Sequence, residues 1–305
     1  MGSYRNLINL CTEIGCEYST DAMLKDYTSF KIGGKADVMI FPDSAENLSK
    51  VVVLIQNDNL PVLILGKGSN MLADDGGFRG VVINTCRMDK IELVDETTIM
   101  CQSGASLSRL CRFALDNSLT GLEFAFGIPG TAGGAAYMNA GAYGGEMKDV
   151  LVSCSHICAD GSTDSYSGDE LELGYRHSVY SDSDNIITSL TLRLSKGDKS
   201  EIKAKMDELM GKRKDKQPLE YPSAGSTFKR PEGHFAGALI EQCGLKGYTC
   251  GGAQVSQKHA GFVVNIGGAT AADVVAVMEH CCKTVYDKTG VTLEPEVKII
   301  KQGEI

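Results

Sequence analysis

Residues 127–145 read GIPGTAGGAAYMNAGAYGG, with seven glycines, five alanines and no charge. Each glycine loses more backbone freedom on folding than any other residue, so a run this dense needs a physical reason. A flexible linker is the simplest one, but linkers are rich in Gly and Ser and are polar. This stretch carries Ile128, Tyr137, Met138 and Tyr143 instead, which predicts an ordered, buried segment. Pro129 stiffens it, and Gly127, Gly130, Gly133, Gly134 and Gly141 let a flat ligand approach the backbone. Asn139 and Tyr143, next to Ala142, are the few polar groups that a largely apolar pocket uses.

A second glycine-rich loop, GKGSN (66–70), follows the buried-strand pattern PVLILG. Gly66 and Gly68 allow the backbone N–H groups around Lys67 to converge on an anion, and Ser69 and Asn70 add side-chain donors. A plain strand-end turn is the alternative. The loop is not a dinucleotide fingerprint of the doubly wound type, whose third glycine would fall at Met71. Nor does it have the spacing of a Walker A loop. Two such loops in one chain suit a long ligand with a pyrophosphate and a ring system, which is the form of a dinucleotide.

Periodicity fills in the frame. Leu48, Val51, Val52 and Ile55 form one face of a helix over 44–59, opened by an Asp43…Glu46 capping-box pattern. Residues 106–117 form another helix, with Leu107, Leu110, Cys111, Ala114 and Leu115 inward. Strands are expected at 80–84, 90–94, 98–103, 150–158 and 185–195. The polar KGDKS (196–200) marks a boundary before a helix with Ile202, Met206, Leu209 and Met210 inward. GFVVNI, a helix from Ala271 to Lys288 and a last strand over 291–300 complete the chain. Strands and helices mix without strict alternation, so the fold class is α+β. The expected division is 1–80, 81–198 and 199–305, with the final strand packing back on the first part.

The net charge of −9 argues against a non-specific nucleic-acid binder. No run approaches the roughly 18–20 apolar residues of a membrane helix, and no signal-peptide pattern opens the chain. The eleven cysteines read as reduced thiols of a cytoplasmic protein. Neither Cys281–Cys282 nor Cys154…Cys158 has zinc-ligand spacing, so no metal is expected.

Seven motifs occur in order: YTSFKIGGKAD (27–37), LGKGSNML (65–72), GLEFAFGIPGTAGGAAYMNAGAYGG (121–145), ELGYRHS (172–178), QPLEYPSAGSTFKRP (217–231), GGAQVSQKHAGFVVN (251–265) and LEPEV (293–297). Together they resemble the bacterial UDP-N-acetylenolpyruvoylglucosamine reductases, over nearly everything after about residue 20. The resemblance implies a two-part FAD-binding domain of the vanillyl-alcohol-oxidase (PCMH) type and a C-terminal α+β substrate domain. It also implies NADPH-dependent, FAD-mediated reduction of the enolpyruvyl group of a UDP-sugar, giving UDP-N-acetylmuramate for peptidoglycan. The glycines become a mould for FAD, with Tyr27, Gly33 and Ile128 among its neighbours. No histidine precedes His156, so the FAD is expected to be non-covalent. The partners are small molecules, without nucleic acid or membrane, and a monomer suffices.

Hydride addition drives negative charge into the substrate carboxylate, which fixed donors must meet, and an acid must then deliver one proton. The resemblance assigns the acid to Ser226, with Lys229 and Arg230 near it in sequence. It assigns a catalytic arginine to Arg176, whose planar fork suits a carboxylate, and a catalytic glutamate to Glu296. Strand periodicity alone would point Glu294 the same way; the motif favours Glu296. Without the resemblance, Ser226 reads as a turn hydroxyl and Arg176 as a surface or ion-paired arginine. Tyr175, Arg213 and Arg230 are the candidate substrate contacts, and a solvated helix end is the alternative for the basic run GKRKDKQP. The short interval from Arg176 to Ser226 resembles the subclass without an inserted lid. Lys298 stands where the family usually has arginine, and it lacks the bidentate fork. Another FAD oxidase or dehydrogenase of the same fold would keep the glycine loops but not the Arg176, Ser226 and Glu296 set. A nucleotide-binding module without chemistry would not need that set either.

Overall fold

The computed structural model describes residues 4–302. Seven α-helices occur among the described residues: α1 (Arg5–Glu13), α2 (Ala45–Asn57), α3 (Leu107–Asp116), α4 (Ala132–Tyr137), α5 (Lys199–Lys216), α6 (Ala236–Gln242) and α7 (Ala271–Thr289). With the strands between them they make an α+β fold. The chain divides into two compact units. One comprises the residues up to Thr20, Val38–Lys67 and Val81–Lys212; the other comprises Asp21–Asp37, Gly68–Gly80 and the residues from Arg213 onward.

The first unit is built on a five-stranded antiparallel sheet, ordered Thr163–Ser167, Leu151–Ile157, Ile186–Arg193, Thr98–Gln102 and Ile91–Leu93. Its register sets Cys154 opposite Leu190 and Leu190 opposite Cys101, so three buried side chains line up across the middle strands. Two residues along, Leu192 and Ile99 repeat the row as a side-chain period of two requires, and Leu151 joins them across a register shift that adds one residue on its strand. Burial pushes the Cys101 and Cys154 thiols up to about 12, so they stay protonated and apolar in character. Leu107, Leu110, Cys111 and Ala114 of α3 join this core, and Leu115 packs against it half-buried.

A further cluster of the same unit joins Leu48, Val51, Val52 and Ile55 of α2 to Leu7 and Cys11 of α1 and to Val38, Ile40, Val81 and Ile83. The cap of α2 corrects the sequence reading. Ser44, extended at φ −146°, is the N-cap and accepts from Asn47 N at 3.2 Å. Asp43 instead accepts from the Asn47 side chain at 3.0 Å.

In the second unit, Thr249–Cys250, Ala253–Val255 and Val263–Asn265 form an antiparallel sheet. Its apolar residues share a core with Leu239 and Ile240 of α6 and with Val274, Val277, Cys281 and Val285 of α7. A capping box between Thr270 and Asp273 opens α7, and Gly290, at φ 73°, ends it. Both Asp75 carboxylate oxygens also accept from Ala271 N at 2.9 Å, placing negative charge at the positive end of the helix dipole. The expected last strand is shorter than predicted. Only Lys298–Ile300 is a strand, parallel to Met71–Ala73, because Pro295 interrupts the run and forms a single bridge with Phe228.

In the five-stranded sheet His156 is buried, its Nδ1 3.0 Å from the Tyr180 hydroxyl and its ring stacked on Tyr166 at 4.5 Å. Burial lowers its pKa from the ordinary 6.5, against a weaker opposing pull from Asp164. The neutral ring is therefore the native form, and the unfolded chain takes up the proton first as the pH falls. Folding stability should decline as the pH drops below about 6.5. Urea titrations of the parent and His156→Gln should show part of that decline removed in the variant.

Candidate functional site

The glycine-rich stretch is not a plain loop. Thr131, buried, caps α4 by accepting from Gly134 N at 3.2 Å. After the helix, Gly141–Ala142 pairs with Gly145–Glu146 across the two-residue turn Tyr143–Gly144. Tyr143 (φ 54°) and Gly144 (φ 89°) are both left-handed, as a turn matching the strand twist needs. Burial is confined to the helix and its flanks. Pro129, Gly134 and Tyr143 are exposed, and Ile128, Tyr137 and Met138 are half-buried.

Several of the glycines are required by the protein itself as well as by any ligand. A Cβ at Gly133 would lie 2.6 Å from Ser103 Cβ, one at Gly145 2.7 Å from the Phe124 ring, and one at Gly141 2.7 Å from Glu146 Cγ. The most informative contact is that of Gly66, where a Cβ would lie 2.6 Å from Thr131 Oγ1. Within the first unit, therefore, the start of the GKGSN loop meets the start of α4. Gly66 and Thr131, one from each stretch singled out by composition, lie against each other.

The amide of Asn139, expected among the ligand contacts, is hydrogen-bonded within the chain. The residue is 1% exposed, at φ 41°. Nδ2 donates to Glu146 Oε2 and to Gly174 O, each at 2.9 Å, while Oδ1 accepts from Lys148 N at 2.9 Å. Gly174 and His177 close a tight turn by exchanging backbone hydrogen bonds of 3.1 and 3.3 Å. Inside this turn are Tyr175 and Arg176. Arg176 is left-handed at φ 55°, and its guanidinium carbon lies 5.1 Å from the Tyr175 ring centre.

In the second unit a Cβ at Gly68 would lie 2.5 Å from Tyr27 O, so Tyr27 abuts the other half of the GKGSN loop. Gly33, at φ 132°, leaves no room for a side chain against Ala73 and Leu24. Ser69 is half-buried. Asn70 Nδ2 donates to Glu296 O at 3.1 Å, and Lys298 N donates to Asn70 O at 3.0 Å. Asn70 thus anchors the LEPEV segment, and Lys298 meets that loop through its backbone.

Ser226 is exposed and follows Gly225, which is left-handed at φ 76°. Its neighbour Thr227 holds the surroundings together. Thr227 N donates to Gly261 O at 2.8 Å, Thr227 Oγ1 accepts from Val263 N at 2.9 Å, and Thr227 O accepts from Glu296 N at 2.8 Å. The Ser226 and Glu296 segments are therefore joined by backbone. Glu294 is distinguished from Glu296 here. It is exposed and pairs with Lys229 at 3.4 Å, whereas Glu296 is half-buried. That pairing turns Lys229 toward Glu294. Arg230 is exposed, its guanidinium 4.1 Å over the Phe235 ring.

Arg213 is not on a solvated helix end. Ile202, Met206, Leu209 and Arg213 fall on one stripe of α5, and all four are buried, while Met210 beside them is half-buried. A positive charge at the end of an apolar stripe needs anionic or hydrogen-bonding company; Gln217 Oε1 accepts from it at 3.4 Å. Lys212, Lys214 and Lys216 are exposed.

Sequence reasoning passed over Thr131, Thr227 and Ser103. Thr131 carried a weak signal, a threonine immediately before a small-residue helix. Ser103 Oγ is buried without a hydrogen-bond partner among the described residues, and it lies beside Gly133. The orphaned Ser103 hydroxyl beneath the glycine-rich segment fits FAD as a group bound there.

Comparison with known proteins gives a consistent result. A family model for an FAD binding domain matches residues 36–165, and one for the C-terminal domain of UDP-N-acetylenolpyruvoylglucosamine reductase matches 217–300. The reductase of that name from Geobacillus kaustophilus is 48% identical over 297 residues, 97% of each chain. The one from Listeria innocua is 50% identical over 92% of this chain and 94% of its own. The crystal structure of the reductase from Thermus caldophilus superposes with a TM-score of 0.80 at 34% identity, covering 94% of this chain and 99% of that one.

Thr227→Val keeps the shape and removes the acceptor for the buried Val263 N–H. It should cost about 1–3 kcal/mol of stability, the penalty of a buried donor left unpaired. Denaturant unfolding monitored by circular dichroism measures this directly.

Proposed function

The chain belongs to the UDP-N-acetylenolpyruvoylglucosamine reductase family, and from that premise we propose how its residues divide the work. As a member it is an FAD-dependent oxidoreductase that reduces the enolpyruvyl group of UDP-N-acetylglucosamine enolpyruvate in peptidoglycan synthesis. When bound, FAD supplies the two-electron redox chemistry. We take NADPH as the reductant. We assign FAD binding to 1–80 and 81–198 and substrate binding to 199–305, a division by role that differs from the compact units, which group 21–37 and 68–80 with the residues from Arg213 onward. The protein is taken to work in the cytoplasm as a monomer; among the described residues no helix is long and apolar enough to cross a membrane.

Gly66, Lys67 and the 127–134 segment are the residues of the first unit that would line the cofactor. Arg176 holds the substrate carboxylate through its planar fork and meets the charge that develops there. Ser226 holds the proton that the adjoining substrate carbon takes up, and Glu296 donates a hydrogen bond to the same charge. Arg213 and Arg230 face the pyrophosphate, with Tyr175 at the margin. The observation that carries this reading is the 2.8 Å bond from Glu296 N to Thr227 O. It ties the segments bearing the acid and the carboxyl into one support.

Ser226→Ala should keep FAD binding and its bleaching by NADPH within a few fold. Turnover with the enolpyruvyl nucleotide should fall by about 100-fold or more, the usual worth of a positioned acid. Stopped-flow absorbance of each half-reaction measures both. Turnover within a few fold of the parent would remove Ser226 from the role. Reoxidation of the bleached protein by oxygen alone, and not by the enolpyruvyl substrate, would point to an oxidase of the same fold.

A further inference from the structure

Two residues of the glycine-rich segment hold the turn that carries Arg176. Asn139 Nδ2 donates to Gly174 O at 2.9 Å, at the turn's first residue. Just past its last residue, Ser178 Oγ donates to Tyr137 O at 2.6 Å, and Ser181 Oγ reaches the same carbonyl at 3.2 Å. The turn is thus pinned at both ends to one three-residue stretch, Tyr137–Asn139, where α4 stops.

The backbone at both ends of this link is unusual. Asn139 (φ 41°) and Arg176 (φ 55°) are both left-handed without being glycine. Asparagine enters that region readily, whereas arginine does so at a cost, and such residues persist only where their surroundings over-determine them. Arg176 therefore needs an external hold. The Asn139 amide is suited to provide one. It is 1% exposed, and its three hydrogen bonds run to two separate segments, one at Gly174 and one at Glu146 and Lys148. A ligand contact would leave part of that amide available to an incoming group.

We propose that Asn139 is a positioning residue for Arg176: its amide sets the Gly174–His177 turn so that the guanidinium is placed before substrate arrives. This rests on Arg176 being the residue that meets the substrate carboxylate. It moves Asn139 from the cofactor's neighbours to the support of the substrate's partner. The glycine-rich segment then has two functions, with backbone for the dinucleotide at 127–134 and an anchor for the arginine at 137–139. An angular error of the turn would displace the fork at the end of a long side chain, and catalysis falls steeply with such misplacement.

The test compares half-reactions in Asn139→Ala, Ser178→Ala and Arg176→Lys, and in the Asn139→Ala, Arg176→Lys pair. Ser178→Ala is the milder variant, because Ser181 still holds Tyr137 O. With FAD bound, reduction by NADPH should stay within about threefold in Asn139→Ala, while reoxidation by the enolpyruvyl nucleotide slows by about tenfold or more. Ser178→Ala should show the same split with a smaller loss. In the double variant the loss should be close to that of Arg176→Lys alone, since a positioning residue adds nothing once its client is changed. FAD affinity, read from fluorescence quenching, should be unchanged in all of them.

Multiplying losses in the double variant, or equal slowing of both half-reactions, would overturn the proposal. So would a normal reoxidation rate in Ser178→Ala when Asn139→Ala does not fold. A different outcome, Arg176→Lys with normal turnover, would instead overturn the assignment of Arg176 itself.

Discussion

The first unit depends on a place where a side chain is missing. Gly133 sits on Ser103 so closely that Gly133 N donates to Ser103 O at 2.8 Å and a Cβ would not fit. That seat fixes the first turn of α4, and Thr131 at its cap then lies against Gly66. Leu107 N donates to Gly130 O at 3.1 Å and Ala132 N to Ala105 O at 2.8 Å, so the start of α3 is tied to the same seat. Once α4 is placed, its far end determines where Tyr137 and Asn139 stand, and with them the turn of Arg176. Backbone proximity at one end of a six-residue helix is thereby converted into side-chain placement at the other.

Thr227 performs the corresponding task in the second unit, by hydrogen bonding instead of close packing. A single buried threonine meets Gly261, Val263 and Glu296. Because two of the three bonds use its backbone, much of the arrangement would survive exchange of the side chain. The part that depends on the hydroxyl is the hold on Val263 N, at the edge of the three-stranded sheet.

Elements with long, regular patterns were legible in the sequence. The α2 and α3 faces follow from 3.6-residue spacing, and the central strands from β-branched and apolar runs. What could not be read was decided by contacts remote in sequence. The last strand was overextended because a pattern of apolar residues does not register that Pro295 lacks a donor. Arg213 was named as a substrate contact with a solvated helix end as the alternative, since composition sees a basic run and not the stripe that places one of its members inside. Asn139 was singled out as a cofactor contact, and its bond to Gly174 O was not legible, for nothing local announces a partner 35 residues away. The chemistry-bearing residues Arg176, Ser226 and Glu296 came from resemblance. Their individual surroundings, an arginine in a strained turn and a serine beside a clamp, become visible only once the chain is folded.

Both units draw on separate stretches of chain, but they are completed at different moments of synthesis. Every segment of the first unit has been made by Lys212. The second gathers Asp21–Asp37 and Gly68–Gly80 early, yet its core residues in α6 and α7 and the partner of Met71–Ala73 all come after Arg213. A chain emerging from the ribosome can therefore close the first unit while two early pieces of the second still wait for their partners. Leu72, which is fully buried in the finished protein, is one of the residues left waiting. The nascent chain has its longest exposure to wrong partners there, at a strand whose pairing partner, Lys298–Ile300, is made more than 200 residues later.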